Sequence, residues 1–99
     1  MPIIASHNRI VWTGAPEKEY RTAVTLRHNS GKPFRVLDAE STSYLVKTVG
    51  ISKNSASEHK FDVVFSAEAK AGGYQELLTL KLDDAEQTEL RIAIAAVLR

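Results

Sequence analysis

The chain has 99 residues and a mass of 10.9 kDa, so it can bury only about 60 to 68% of its unfolded surface, in a single core. Hydrophobic residues make up 43% and charged residues 25%, a balance that excludes disordered, collagen-like and coiled-coil chains. The formal charge is +1, so we expect neither a nucleic acid nor an anionic membrane as a partner.

The sequence contains no cysteine, which excludes disulfide bonds, a thiolate nucleophile and Cys-ligated zinc. Residues Met1–Ser6 lack the basic and apolar regions of a signal peptide, and no window approaches the ~20 apolar residues of a membrane helix. We therefore predict a single domain over residues 1–99, without membrane insertion. The final apolar run Ala95–Leu98 is also compatible with a module taken from a longer protein.

Apolar and polar residues alternate in short segments, a pattern typical of half-buried β-strands. In chain order, the predicted strands are Arg9–Thr13, Tyr20–Asn29, Phe34–Ala39, Tyr44–Val49, Glu58–Ser66 and Leu78–Leu82. Turn-forming residues separate them at Gly14–Pro16, Asn29–Pro33, Ser52–Ser57, Gly72–Gly73 and Asp83–Asp84. Such strands at intervals of about 8 to 12 residues predict a β-sandwich or a small barrel.

The C-terminal segment fits two structures. Asp84 could cap a helix reaching Arg99, because Leu90, Ile94, Val97 and Leu98 have helical spacing and alanine is abundant. The segment Leu90–Leu98 also alternates as a strand does, and a strand ending at Leu82 needs an antiparallel partner. Local pattern leaves both possibilities open.

The sequence around two predicted turns resembles a known family. The run Val24–Val36, with Asn29, Gly31 and Pro33 between two apolar strands, resembles the opening of bacterial immunoglobulin-like modules of the abnormal-spindle/hydin and pilus-chaperone-like (PapD-like) superfamily. The later features follow the same order: Ser41–Ser43, Ser52–Ser57, His59–Phe65, Ala71–Tyr74, Leu78–Leu82, Asp83–Asp84 and Leu90–Leu98. Ser41–Ser43 stand where many members have cysteines, so no metal or redox role is carried over.

The resemblance implies an all-β fold, an antiparallel immunoglobulin-like β-sandwich of about seven strands. Alternation assigns a common core to His59, Phe61, Val63, Phe65, Leu78, Leu80, Leu82, Val24, Leu26, Ile92 and Ile94. The resemblance also implies a non-catalytic structural or interaction module of a bacterial exported protein, in the periplasm or outside the cell. Its partner is then a neighbouring domain or another protein.

No residue pattern indicates catalysis, a cofactor or a metal. The serines lie in turns without a Gly-x-Ser-x-Gly elbow, and His7, His28 and His59 are far apart in the sequence. We interpret Asp83, Asp84, Glu86 and Glu89 as a solvated acidic turn because a calcium loop needs a Gly at a set position. Gly72–Gly73 is interpreted as a tight hairpin turn, since a phosphate loop would lead into a helix.

Two surfaces are candidates for recognition. An exposed edge strand accepts an added strand through main-chain hydrogen bonds, and the candidate edge residues are Val11 and Trp12 in one segment and Tyr44 and Val46 in another. Trp12 is also a candidate for the core. The alternative is a carbohydrate-binding module that uses exposed tyrosines, with Tyr20 and Tyr74 as the candidates.

Overall fold

The computed structural model describes residues 1–99 and consists of eight β-strands without a helix. The strands are β1 Ile3–Ala5, β2 Arg9–Gly14, β3 Tyr20–His28, β4 Val36–Ser41, β5 Val46–Val49, β6 Glu58–Phe65, β7 Gly72–Leu82 and β8 Glu89–Leu98. They form two four-stranded sheets, with the orders β1-β3-β6-β5 and β2-β8-β7-β4. The prediction of an all-β immunoglobulin-like sandwich is confirmed.

The C-terminal segment is a strand, and the helical alternative is wrong. β8 pairs antiparallel with β7 over most of its length, with Leu78 opposite Ile92 and Leu80 opposite Leu90. Buried and exposed residues alternate along β8, so the buried residues share one face of a strand, whereas a helix would turn them in several directions. On its other side β8 pairs with β2 in parallel, so the sheet is not wholly antiparallel.

The core lies between the two sheets. Every residue that alternation assigned to the core is buried, and they belong to one cluster apart from the polar His59. The imidazole Nε2 of His59 lies 2.7 Å from the carbonyl oxygen of Phe34, and its ring packs against the Phe34 ring with centroids 4.7 Å apart. A polar ring is therefore held in the core by a backbone hydrogen bond.

Several predicted boundaries differ from the structure. β1 was not predicted, because its three residues are too few to show alternation. Phe34 forms an isolated bridge to Ala56, and β4 begins two residues later. Gly72 and Gly73 open β7 opposite Leu98 and Val97, so they are not the hairpin turn; the connection from β6 turns earlier, where the Ala69 amide donates to Ser66.

The turn between β7 and β8 is exposed at Asp83 and Glu86, as predicted, but Asp84 is buried because the turn closes one end of the sandwich. Asp84 and Gln87 are both buried, and one Asp84 carboxylate oxygen lies 3.5 Å from Nε2 of His28 at the end of β3. The side-chain oxygen of Gln87 accepts the Ile3 amide at 2.9 Å. The turn between β7 and β8 of one sheet therefore contacts β3 and β1 of the other sheet.

No helix in this structure is long and apolar enough to cross a membrane.

Candidate interaction surface at the β2 edge

Each sheet has two edge strands, namely β1 and β5 in one sheet and β2 and β4 in the other. Both segments predicted as edges, Arg9–Thr13 and Tyr44–Val49, therefore contribute an edge strand. Along any edge strand, alternate residues turn their amide and carbonyl groups away from the sheet. The four edges differ in how many of these outward groups already form hydrogen bonds within the chain.

The β5 edge offers little free backbone. The Ser66 amide donates to the Leu45 carbonyl at 2.8 Å, so alternation directs the backbone of Lys47 towards β6 and that of Val46 and Thr48 outward. The outward Val46 amide already donates to the Ser43 carbonyl at 3.2 Å. A lysine in the middle of so short a strand is a known protection against edge pairing.

The β1 and β4 edges are also obstructed. β1 has three residues, and its outward Ile3 amide is bonded to Gln87. β4 contains an irregularity between Val36 and Asp38, and the Leu37 carbonyl accepts a hydrogen bond from the Lys53 ammonium. Irregular strands of this kind do not present a continuous row of free groups.

β2 presents the longest unobstructed edge. The Ala93 amide donates to the Asn8 carbonyl at 3.0 Å, and the Arg99 amide donates to the Gly14 carbonyl at 2.9 Å. The amide and carbonyl groups of the even-numbered residues of β2 therefore point towards β8. By alternation, those of Arg9, Val11 and Thr13 point away from the sheet. No turn, loop or side-chain hydrogen bond engages these three residues, and the strand between them contains neither a proline nor an irregularity.

The four side chains predicted for the edges have different positions. Val11 is 52% exposed, on the outer face of its sheet. Trp12 is only 8% exposed: its indole Nε1–H donates to the Thr22 hydroxyl at 3.0 Å, and its ring lies 5.8 Å from that of Phe65. Val46 is also buried, and Tyr44 is exposed but lies in the turn before β5. Trp12 and Val46 thus serve the core, because their positions in the alternation point inward.

Next to the β2 edge, several apolar side chains lie together on the outer face of the sheet, beside the polar Arg9, Thr13 and Gln75. Side chains from three adjacent strands form this apolar patch: Val11, Leu77, Ala93, Ala95 and Val97. Val11 lies opposite Ala95, and Leu77 lies opposite Ala93. Val11, Leu77 and Val97 are each at least 36% exposed, so the patch is a surface on which a partner can bury apolar area.

The opposite end of the same outer face is charged. The Lys81 ammonium lies 2.9 Å from one Glu89 carboxylate oxygen, and the Arg91 guanidinium lies 2.6 Å from the other. The hydrogen bond from Lys81 and the charge of Arg91 lower the pKa of the Glu89 carboxyl. The hydrogen bond to Glu89 raises the pKa of Lys81 in turn.

Tyr20 and Tyr74 do not form an exposed platform for a sugar. Both are partly buried and pack against the core, on strand faces that point inward. The hydroxyl groups donate to the carbonyls of Ala15 and Lys70, each at 2.7 Å. A Cβ at Gly14 would overlap the Tyr20 hydroxyl, so the glycine leaves room for this hydrogen bond.

The three histidines occupy separate places. His7 is bonded to Ser6, the ring of His28 accepts a hydrogen bond from the Ser30 amide at 3.2 Å, and His59 lies in the core. The structure contains no group of three or more His, Asp and Glu side chains that could hold a metal ion.

The fold has clear counterparts among solved structures, although the sequence matches no protein-family model and no curated protein. The PapD-like domain 7 of human CEP192, an ASH/PapD-like domain, superposes with a TM-score of 0.77 at 12% identity, over 99% of this chain and 85% of that one. A Porphyromonas gingivalis W83 protein of unknown function gives a TM-score of 0.77 at 12% identity, over 97% of this chain and 46% of that chain.

A third counterpart is WR4, a Caenorhabditis elegans member of the MSP family. It superposes with a TM-score of 0.55 at 9% identity, over 99% of this chain and 98% of that one. At these identities the likeness concerns the fold. The predicted immunoglobulin-like sandwich, a fold that this chain shares with the PapD-like domain of CEP192, is thereby confirmed.

Proposed function

We propose that this domain is a non-catalytic interaction module that binds an extended segment of a protein partner along β2. The observation that carries the proposal is the row of free backbone groups at Arg9, Val11 and Thr13. Strand addition draws its affinity from main-chain hydrogen bonds, so it needs no conspicuous side-chain motif. This agrees with a chain whose sequence contains no catalytic or metal-binding pattern.

The position of β2 also favours particular side chains in the bound segment. Residues of an added strand alternate between the two faces of the sheet. Those on the outer face would lie beside Val11 and extend the apolar patch, and an acidic residue there could approach Arg9, which is the only charged residue of β2. The favoured partner is therefore an extended segment that places an apolar residue beside Val11.

The location of the protein belongs to the same proposal. The PapD-like resemblance supports a bacterial exported protein in which the module contacts a neighbouring domain or another protein. The structural likeness to a Porphyromonas gingivalis chain, of which this domain spans 46%, supports a module of that kind in bacteria. Fractionation of cells that express the native gene tests it: the proposal expects the product in the periplasmic or extracellular fraction, and a cytoplasmic product contradicts it.

Strand addition is tested with random peptides displayed on phage and selected on the immobilised chain. Selected peptides should slow amide exchange at Arg9, Val11 and Thr13 when measured by NMR in dilute solution. Val11→Pro removes one outward amide without breaking a bond to β8, and it should weaken binding about tenfold. Val11→Ala keeps the amide and is the matched control.

Two results would contradict strand addition at β2. The first is a set of peptides that bind Val11→Pro as well as the unmodified chain. The second is protection that develops at Thr48 on β5, or on the loops, while the β2 amides continue to exchange freely.

A further inference from the structure

We propose that the partner strand at β2 comes from a second copy of this chain, paired antiparallel about a two-fold axis at Val11. This inference rests on the proposed function and names its partner. The result is a continuous sheet formed by four strands from each copy. The β2 strands of the two copies lie at its centre.

The backbone of β2 is self-complementary in this arrangement. In an antiparallel pair, residues that face each other with their amide and carbonyl groups exchange both hydrogen bonds. A two-fold axis at Val11 places Val11 opposite Val11 of the second copy and Arg9 opposite Thr13 of the second copy. Each outward residue of β2 then has a partner, and no outward group between Arg9 and Thr13 is left free.

Charge disfavours one of the alternative alignments. Arg9 is the only charged residue of β2, and the axis at Val11 places its guanidinium beside the hydroxyl of a threonine. Sliding the strands so that Arg9 faces Arg9 of the second copy would bring like charges together, which destabilises a cross-strand pair. The alignment at Val11 therefore satisfies the backbone and separates the two arginines.

The side chains around the axis favour a second copy as well. The exposed Val11 side chain would contact its counterpart, and the two apolar patches would become one surface across the axis. The formal charge of +1 on each chain causes little repulsion between copies. Closed two-fold pairing also uses up both free edges, so the assembly ends at two copies.

Sedimentation equilibrium tests whether the pairing occurs. The average mass of the unmodified chain should rise from that of a monomer towards that of a dimer as its concentration approaches about 1 mM. Val11→Pro, which removes an amide, and Val11→Lys, which places two ammonium groups together, should each weaken association about tenfold or more. Val11→Ala keeps the amide and should weaken it less.

Circular dichroism of each variant shows whether it remains folded. If Val11→Pro does not fold, the comparison of association is made with Val11→Lys alone. An unmodified chain that stays monomeric up to about 1 mM, or one whose association is unaffected by both variants, overturns the inference.

Single-cysteine variants test the alignment, because the chain has no cysteine of its own. Paired residues that exchange both hydrogen bonds have Cα atoms about 5.5 Å apart, within reach of a disulfide. Val11→Cys should therefore cross-link to itself on oxidation. Arg9→Cys alone should not, since its two copies are four residues apart along the strand, about 13 Å. A mixture of Arg9→Cys and Thr13→Cys should give the mixed dimer.

The cross-links separate the possible outcomes. Self-cross-linking of Arg9→Cys as fast as that of Val11→Cys indicates parallel pairing and overturns the alignment. A chain that stays monomeric but protects its β2 amides on binding selected peptides contradicts the second copy and leaves strand addition intact. A chain that associates without any cross-link at β2 contradicts this inference, whereas peptides that bind elsewhere contradict the proposed function.

Discussion

Phe65→Ala should be one of the most damaging substitutions in the core. Phe65 is fully buried on β6, its ring centroid lies 5.8 Å from that of Trp12, and it meets Tyr74 edge to face at 5.3 Å. These rings join strands of both sheets. Removal of the Phe65 side chain therefore takes away buried apolar area and two aromatic contacts at the same time.

The size of the effect follows from a comparison with Phe61, which lies on the same face of β6 but has no aromatic neighbour at stacking distance. Truncation of a buried phenylalanine to alanine costs about 3 to 5 kcal/mol. Each aromatic pair adds about 0.5 to 1.5 kcal/mol. We therefore expect Phe65→Ala to reduce the free energy of unfolding by about 1 to 3 kcal/mol more than Phe61→Ala does.

Urea denaturation followed by circular dichroism measures this difference. Trp12 fluorescence is unsuitable as the only probe because Trp12 contacts the substituted residue. A domain of this size has a total stability of about 5 to 15 kcal/mol, so Phe65→Leu, which keeps most of the apolar area, serves if Phe65→Ala does not fold. Equal losses for Phe61→Ala and Phe65→Ala would refute the role of the aromatic contacts.

Two further predictions concern polar groups. Because folding lowers the pKa of the Glu89 carboxyl, the ionised carboxylate stabilises the fold fully above its ordinary pKa of 4.5, and this stabilisation is lost as the pH falls through the lower pKa of the folded state. Glu89→Gln should therefore make the free energy of unfolding depend less on pH below 4.5. Urea denaturation at a series of acidic pH values measures this, and the same pH dependence in both proteins would contradict it. Gln87→Ala leaves the buried Ile3 amide without its acceptor and should cost about 1 to 3 kcal/mol; a denaturation midpoint equal to that of the unmodified chain would show that the amide finds another partner.

Alternation predicted the parts of the fold in which a strand has one buried face and enough length to show it. The eight residues of β6 and the second half of β7 are of this kind. β8 was ambiguous because alanine suits a helix by propensity, and only its pairing on both sides selects a strand. The parallel contact between β2 and β8 joins segments at opposite ends of the chain, so no local pattern could indicate it.

The interaction surface was predictable in part. Arg9–Thr13 was a candidate edge segment and is an edge strand. Trp12 was a candidate both for the edge and for the core, and it is buried in the core. The obstruction of the other edges could not be predicted, because it depends on single long-range contacts such as that of Gln87 with Ile3. The burial of Asp84 could not be predicted either, because a carboxylate in a turn is usually solvated and the residue that it contacts, His28, is distant in the sequence.

Amide exchange along β2, measured by NMR on the Val11→Lys variant at a concentration where it is monomeric, tests the central claim most directly. The account predicts an alternating pattern, in which the amides of residues 9, 11 and 13 exchange rapidly and those of Ile10 and Trp12 exchange slowly. Uniformly slow exchange along the strand in the monomer would mean that this edge is already covered within the chain, and it would contradict the account.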